Sequence, residues 1–91
     1  MSYKLTYDDK FIKKTAKLIK KNPSLKERIY KTLHILENNP YHPSLRLHKL
    51  KGNLKDYYSV SISMNYRIVL DFVITEKEIL LLDIGPHDEV Y

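Results

Sequence analysis

The chain contains no cysteine. A disulfide framework and a thiolate metal site are therefore both excluded, which fits a protein of a reducing compartment. No apolar run approaches the roughly 18 residues that a membrane span needs, and the first residues lack the hydrophobic region of a signal peptide. We expect a cytoplasmic protein that makes no membrane contact.

Several functional motifs are also missing. The sequence has no glycine-rich phosphate loop, no helix-turn-helix signature and no Ser-His-Asp pattern, and no cysteine or regularly spaced acid joins the histidines to form a metal site. We predict no metal and no cofactor. The 91 residues, 43% of them hydrophobic, suit a single domain over residues 1–91 with one core.

The basic residues are unevenly distributed. Residues 1–55 hold fourteen Lys and Arg against four acids, whereas residues 56–91 hold two against seven. Such a basic block favours a polyanionic partner, because phosphate contacts gain affinity by releasing counterions. The alternative is that the lysines solvate two amphipathic helices.

Hydrophobic periodicity predicts the order β-α-α-β-β-β, an α+β domain in which an N-terminal helical hairpin packs on one face of a mainly antiparallel sheet. Ser24 and Glu27 form a predicted capping box at the second helix. A tight loop after the serine-rich strand would pair Ser61 with Arg67. Strands are predicted at residues 3–7, 45–50, 58–64, 66–74 and 78–84, and helices at residues 8–21 and 24–38.

Alternation predicts that Met64, Ile68 and Leu70 face the core, and that one of the adjacent Tyr57 and Tyr58 is buried and the other exposed. The last strand is apolar on both faces, which predicts a central strand.

The sheet face away from the helices is the candidate site. It should display Ser59, Ser61 and Arg67, with histidines near its rim. The guanidinium of Arg67 offers a planar fork and a permanent charge for a phosphate. The alternative is a structural salt bridge to Asp71 or Asp83.

His48 and His87 are candidates for proton transfer. Metal-free RNA cleavage needs a base for the 2′-hydroxyl and an acid for the leaving 5′-oxygen, and imidazole suits both near neutral pH. Each histidine could instead be an exposed polar residue. Tyr91 could stack on a base or fray at the terminus, and Lys49 and Lys51 are candidate phosphate contacts.

The chain resembles the RelE/ParE toxin superfamily, and most closely the YafQ-like toxins of bacterial type II toxin–antitoxin systems. The resemblance rests on the β-α-α-β-β-β order, the segment Leu-His-Lys-Leu-Lys-Gly-Asn-Leu at residues 47–54, the strand Tyr-Arg-Ile-Val at residues 66–69 and the ending Ile-Gly-Pro-His-Asp-Glu-Val-Tyr at residues 84–91. It covers essentially the whole chain.

This resemblance implies a ribosome-dependent mRNA endonuclease that acts in the A site and is neutralised by a cognate antitoxin. It implies that His87 is the general acid, that His48 is the base or positions the substrate, and that Arg67 stabilises the pentacovalent phosphate. Tyr91, Lys49, Lys51 and Ser61 would bind RNA.

The sequence departs from the family pattern at three positions. Ser59 and Ser61 stand where RelE-like toxins have lysines and YafQ-like toxins have an acid and a histidine, and Asn65 replaces an aspartate. Serine can hydrogen-bond a phosphate but supplies neither base nor charge. Two alternatives stay open: a ParE-like inhibitor of DNA gyrase that acts by protein contact, and an inactive member that binds antitoxin.

Overall fold

The computed structural model describes residues 2–51, 57–73 and 76–86. Its elements follow the predicted order, with one short 3-10 helix added. They are β1 (Lys4–Tyr7), α1 (Asp9–Lys21), α2 (Leu25–Asn38), the 3-10 helix Pro43–Leu45, β2 (His48–Lys49), β3 (Tyr58–Ser61), β4 (Tyr66–Val73) and β5 (Glu78–Pro86).

The strands form a sheet in the order β1-β5-β4-β3-β2. β1 runs parallel to β5, and the other neighbouring pairs are antiparallel. The fold prediction is therefore confirmed: the sheet is mixed but mainly antiparallel, with two helices packed on it. β5 lies between β1 and β4, which explains why its sequence is apolar on both faces.

The two helices start in different ways. Asp8 caps α1, because its carboxylate accepts a hydrogen bond from the backbone N–H of Lys10 at 3.0 Å. The capping box predicted for α2 is wrong: Ser24 is itself in helical conformation and its side chain caps nothing. The N–H groups of Leu25 and Lys26 instead donate to the carbonyls of Asn22 and Pro23, so the interhelical turn supplies partners for the first turn.

The main core lies between the helices and the sheet. Its completely buried side chains are Ile29 and Leu36 of α2, Val60 of β3, Ile68 and Leu70 of β4, and Ile79 and Leu81 of β5. Because β-strand side chains alternate between faces, burial of Ile68 and Leu70 directs Arg67 and Val69 to the opposite face. We call that opposite side the outer face.

A second, smaller cluster covers part of the outer face. Leu50 and Val69 are buried there, and Tyr57 and Leu82 pack against them. The expectation that one of Tyr57 and Tyr58 is buried and the other exposed is wrong, since both are half-buried. Tyr58 packs on the main core and Tyr57 on the outer-face cluster, because adjacent strand residues point to opposite faces.

Two predicted strands are shorter in the structure. The strand expected at residues 45–50 is reduced to His48–Lys49. Pro43 begins a 3-10 helix in which Leu45 is buried, and the helix ends at Arg46, whose backbone is left-handed with a φ of 50°. β3 ends at Ser61, since the N–H groups of Ile62 and Ser63 both bond to the Tyr66 carbonyl.

The early end of β3 changes the environment of Met64. This side chain was predicted to face the core, but it is 93% exposed because it lies in the loop between β3 and β4. The predicted pairing of Ser61 with Arg67 across that loop is confirmed.

Candidate functional site

Arg67 lies at the middle of a cross-strand row on the outer face. It pairs with Ser61 of β3 on one side and with Gly85 of β5 on the other. Gly85 is buried and has no side chain, so it leaves space beside the long guanidinium-bearing side chain. The Nε and Nη1 atoms of Arg67 are shielded from solvent, and a cation in such a low-dielectric setting attracts an anion more strongly than one in water.

His48 lies on the same face, two strands from Arg67. It pairs with Ser59, which in turn pairs with Val69. Val69 lies two residues from Arg67 on β4, on the same face. Strand spacing and rise per residue put the Cα atoms of His48 and Arg67 about 12 Å apart. Both side chains are long enough to approach one phosphodiester placed between them.

A backbone contact sets the tautomer of His48. Its Nδ1 lies 3.0 Å from the carbonyl oxygen of Arg46. A carbonyl oxygen can only accept, so Nδ1 carries the proton and donates. The neutral ring then has its basic lone pair on Nε2, which is the arrangement that a general base requires.

The two serines of β3 differ from the expected exposed row. Ser59 is completely buried beneath the outer face, and Ser61 is half-buried with its hydroxyl donating to the Ser63 carbonyl at 2.8 Å. A buried Ser59 cannot contact a phosphate in this conformation. Ser61 can only accept through its remaining lone pairs while this bond persists.

Lys49 and Lys51 are both exposed but lie in different places. Lys49 pairs with Tyr58, whose side chain packs on the main core, so Lys49 projects from the helix-bearing side of the sheet edge, away from His48. Lys51 follows Leu50 of the outer-face cluster and lies beyond the end of β2, so strand alternation does not assign it to either face.

Two cations that sequence reasoning did not select lie near Ser61. A cavity of about 330 Å³ between α2 and the end of β3 is lined by Arg28, Lys31, Ser44 and Ser61, among others. Arg28 and Lys31 are three residues apart and therefore share a helix face. That spacing is visible in the sequence, but nothing in the sequence connects it with the strand that carries Ser61.

Asp83, one of the two acids considered as a partner of Arg67, is held by helix α1. Its carboxylate oxygens lie 2.7 Å from Lys14 Nζ and 3.4 Å from Lys10 Nζ. Burial raises the pKa of Asp83, but hydrogen bonds from Lys14 and from the Ile84 N–H, with the charges of Lys14 and Lys10, outweigh it and leave the pKa below its ordinary value. This carboxylate is thus an anchor between α1 and β5.

His87 and Tyr91 lie outside the described residues. β5 extends to Pro86, which pairs with Tyr66, the residue before Arg67. The strand therefore brings the chain to the end of the Arg67 row immediately before His87. Their assigned roles stay predictions.

No group of three or more His, Cys, Asp or Glu residues within residues 2–51, 57–73 and 76–86 is arranged to hold a metal ion. In the same part of the chain, no helix has the length and hydropathy to cross a bilayer.

Comparison with known proteins identifies the class of molecule. The α+β fold, with a helical hairpin on a five-stranded sheet, is that of type II toxin–antitoxin toxins. The profile of the family described as bacterial toxin of type II toxin–antitoxin system, YafQ, matches residues 3–91. The chain belongs to this YafQ toxin family.

Solved structures agree with that assignment. YafQ from E. coli superposes with a TM-score of 0.79 at 18% identity, covering 98% of each chain. A metal-bound toxin from Helicobacter pylori gives 0.79 at 27% identity over 100% of both chains. The E. coli DinJ–YafQ toxin–antitoxin complex gives 0.78 at 17% identity, covering 100% of this chain and 99% of that one. A search of curated proteins found no match.

Proposed function

We propose that this toxin is a ribosome-dependent mRNA endonuclease that cleaves without metal and is neutralised by a cognate antitoxin. The observation that carries the proposal is the Arg67 row. A partly shielded guanidinium lies between Ser61 and Gly85, on the strand pair that leads directly to His87, with His48 on the same face.

The chemistry requires a base, an acid and a fixed positive charge. Nε2 of His48 takes the proton from the ribose 2′-hydroxyl, and the 2′-oxygen forms a bond to the adjacent phosphorus. The bond from phosphorus to the 5′-oxygen breaks as His87 protonates that oxygen. The products are a 2′,3′-cyclic phosphate and a 5′-hydroxyl, and Arg67 stabilises the pentacovalent phosphate between them.

The remaining residues bind RNA around this centre. Lys51 contacts phosphate beside the outer face, and Tyr91 stacks on a base. Lys49 and Ser61 were also assigned to RNA binding. Lys49 projects away from His48 and the Ser61 hydroxyl donates to the Ser63 carbonyl, so both are weaker candidates for an RNA contact. Arg28 and Lys31, in the cavity beside Ser61, extend the cationic path along the RNA backbone.

The antitoxin is proposed from family membership. Toxins of this family act within toxin–antitoxin pairs, and the similar E. coli YafQ is described in complex with DinJ. The basic N-terminal part of the chain suits a partner of opposite charge.

Cleavage in a cell-free translation extract tests the catalytic assignment. Arg67→Ala and His48→Ala should each slow mRNA cleavage about 100-fold, because each removes one charge-stabilising or proton-transfer group. His34→Ala is the matched control, since His34 is an exposed histidine of α2 and should leave the rate unchanged. Wild-type-like cleavage by both Arg67→Ala and His87→Ala would remove the assignment.

Inhibition of DNA gyrase is the second candidate function. The two β3 serines favour it. Ser59 is buried and the Ser61 hydroxyl is bonded to the Ser63 carbonyl, so neither position supplies a catalytic base or a cation. A supercoiling assay separates the candidates: inhibition of gyrase by the toxin in the absence of RNA cleavage would replace the endonuclease proposal.

A further inference from the structure

A groove with a positively charged rim runs between the C-terminal half of α1 and the end of β5. Its volume is about 450 Å³. Lys14, Lys17, Lys20 and Lys21 line the helix side, and residues 84–86 line the strand side. Lys14 is neutralised by Asp83, whereas Lys17, Lys20 and Lys21 are exposed and have no ion-pair partner among the described residues. We call this feature the lysine groove.

The floor of the lysine groove is apolar. Leu18, Ile84 and Pro86 contribute to it, and the lysine stems add further aliphatic surface. If the lysines served only to solvate the exposed face of α1, no apolar surface would be needed between them and β5. The combination of an apolar floor and a cationic rim instead matches a segment that carries both aliphatic and carboxylate side chains.

The apolar floor also favours a polypeptide. No described strand pairs with β5 beyond Leu81 on that side, but the Ile84 N–H is already bonded to the Asp83 carboxylate that Lys14 and Lys10 hold, so the strand edge offers no free amide there. Among the described residues, the lining includes no aromatic ring on which an RNA base could stack. A peptide can bury aliphatic side chains on the apolar floor, whereas single-stranded RNA gains little from such contact.

We infer that the lysine groove is a docking site for an acidic, leucine- or isoleucine-containing segment of the antitoxin. This inference rests on the antitoxin partnership in the proposed function. The groove includes Gly85, the cross-strand neighbour of Arg67, and ends at Pro86, the residue before His87. A segment bound there therefore lies on the helix-bearing side of β5, against the strand that pairs with Arg67 and leads to His87.

The first experiment uses the protein encoded beside the toxin gene as the probe. Its affinity is measured by calorimetry for the wild type, for the triple variant Lys17→Gln, Lys20→Gln, Lys21→Gln, and for a control triple variant Lys4→Gln, Lys13→Gln, Lys26→Gln that removes the same charge elsewhere. Circular dichroism confirms that each variant is folded. The groove variant should bind about tenfold more weakly and the control within about twofold, with mRNA cleavage unchanged in both. Equal effects of the two variants would overturn the inference.

The second experiment separates the groove from the proposed function. A short synthetic peptide of glutamates with regularly spaced leucines is titrated into the labelled toxin, and methyl signals of Leu18 and Ile84 are followed by NMR. These signals should shift in the wild type and not in the groove variant. If the neighbouring gene product does not bind the toxin at all, the antitoxin part of the proposed function fails, and this titration still decides whether the groove takes acidic peptides. Absence of shifts, or equal shifts with single-stranded RNA, would overturn the inference.

Discussion

The contact between Asp83 and α1 gives a stability prediction that the structure allows to be worked out in detail. Asp83 is 17% exposed and Lys14 is 32% exposed, with 2.7 Å between their charged atoms. Lys10 is 63% exposed and lies 3.4 Å away. Asp83 also accepts the N–H of Ile84 at 2.9 Å.

The substitution Asp83→Asn removes the charge but keeps an oxygen for the Ile84 amide. A charge-assisted hydrogen bond between partly shielded groups contributes about 1.5–3 kcal/mol, and an exposed ion pair such as that with Lys10 contributes about 0–1 kcal/mol. Asparagine retains part of the hydrogen bonding. The free energy of unfolding should therefore fall by about 1.5 kcal/mol at neutral pH.

The effect should depend on pH in a defined direction. The pKa of Asp83 is lower in the folded protein than in the unfolded chain, so the folded state favours the carboxylate. Its contribution to stability is present above the unfolded pKa of about 3.9 and is lost as the pH falls through the lower folded value.

Urea denaturation at pH 7 and at a series of acidic values measures this. The difference between wild type and Asp83→Asn should shrink as the pH falls below about 4. At pH 7, Lys14→Met should resemble Asp83→Asn, whereas Lys10→Met should cost less than about 0.5 kcal/mol. A difference independent of pH, or a larger effect of Lys10→Met than of Lys14→Met, would refute the reasoning.

Three further predictions concern the fold and are checked by the same urea measurement. Ile68→Ala should lower the free energy of unfolding by about 2–5 kcal/mol, because Ile68 is completely buried, whereas Met64→Ala should change it by less than about 0.5 kcal/mol. Asp8→Ala should cost about 1 kcal/mol through loss of the α1 cap. Ser59→Lys should cost about 3 kcal/mol or more, because it forces a charge into a completely buried position; a neutral result would show that Ser59 is accessible.

Strand alternation and helix periodicity were enough to predict most of the fold. The alternation in residues 66–74 correctly directed Ile68 and Leu70 to the core and Arg67 away from it. The doubly apolar β5 indicated an interior strand, which it is. Strand alternation and helix periodicity predict these positions correctly because each marks the face of an element that packs against the one main core.

The errors occurred where burial depends on distant residues. Ser59 was predicted to be exposed, but Leu50, Val69, Tyr57 and Leu82 build a second cluster on that face. Such a cluster joins four separate strand or loop positions, so the hydrophobic periodicity of any one segment does not predict it. The 3-10 helix at Pro43–Leu45 was missed because its start depends on His42, whose Nδ1 accepts from the Ser44 N–H.

The candidate site was predictable in part. The pairing of Ser61 with Arg67 followed from loop length, and His48 was expected near the rim of the same face, where its pairing with Ser59 places it. The tautomer of His48 could not be predicted, because it depends on the left-handed backbone at Arg46. The place of Gly85 beside Arg67 required the register between β4 and β5, which a bulge at Val69/Leu70 shifts.

The most direct test of the endonuclease proposal is cleavage of a defined mRNA by purified toxin, with and without ribosomes that hold a chosen codon in the A site. The account predicts cleavage only on the ribosome and within that codon. The upstream fragment should end in a 2′,3′-cyclic phosphate, and Arg67→Ala should slow its formation about 100-fold while His34→Ala retains it. Equal cleavage of free RNA, or no cleavage by a toxin that still inhibits gyrase, would contradict the account.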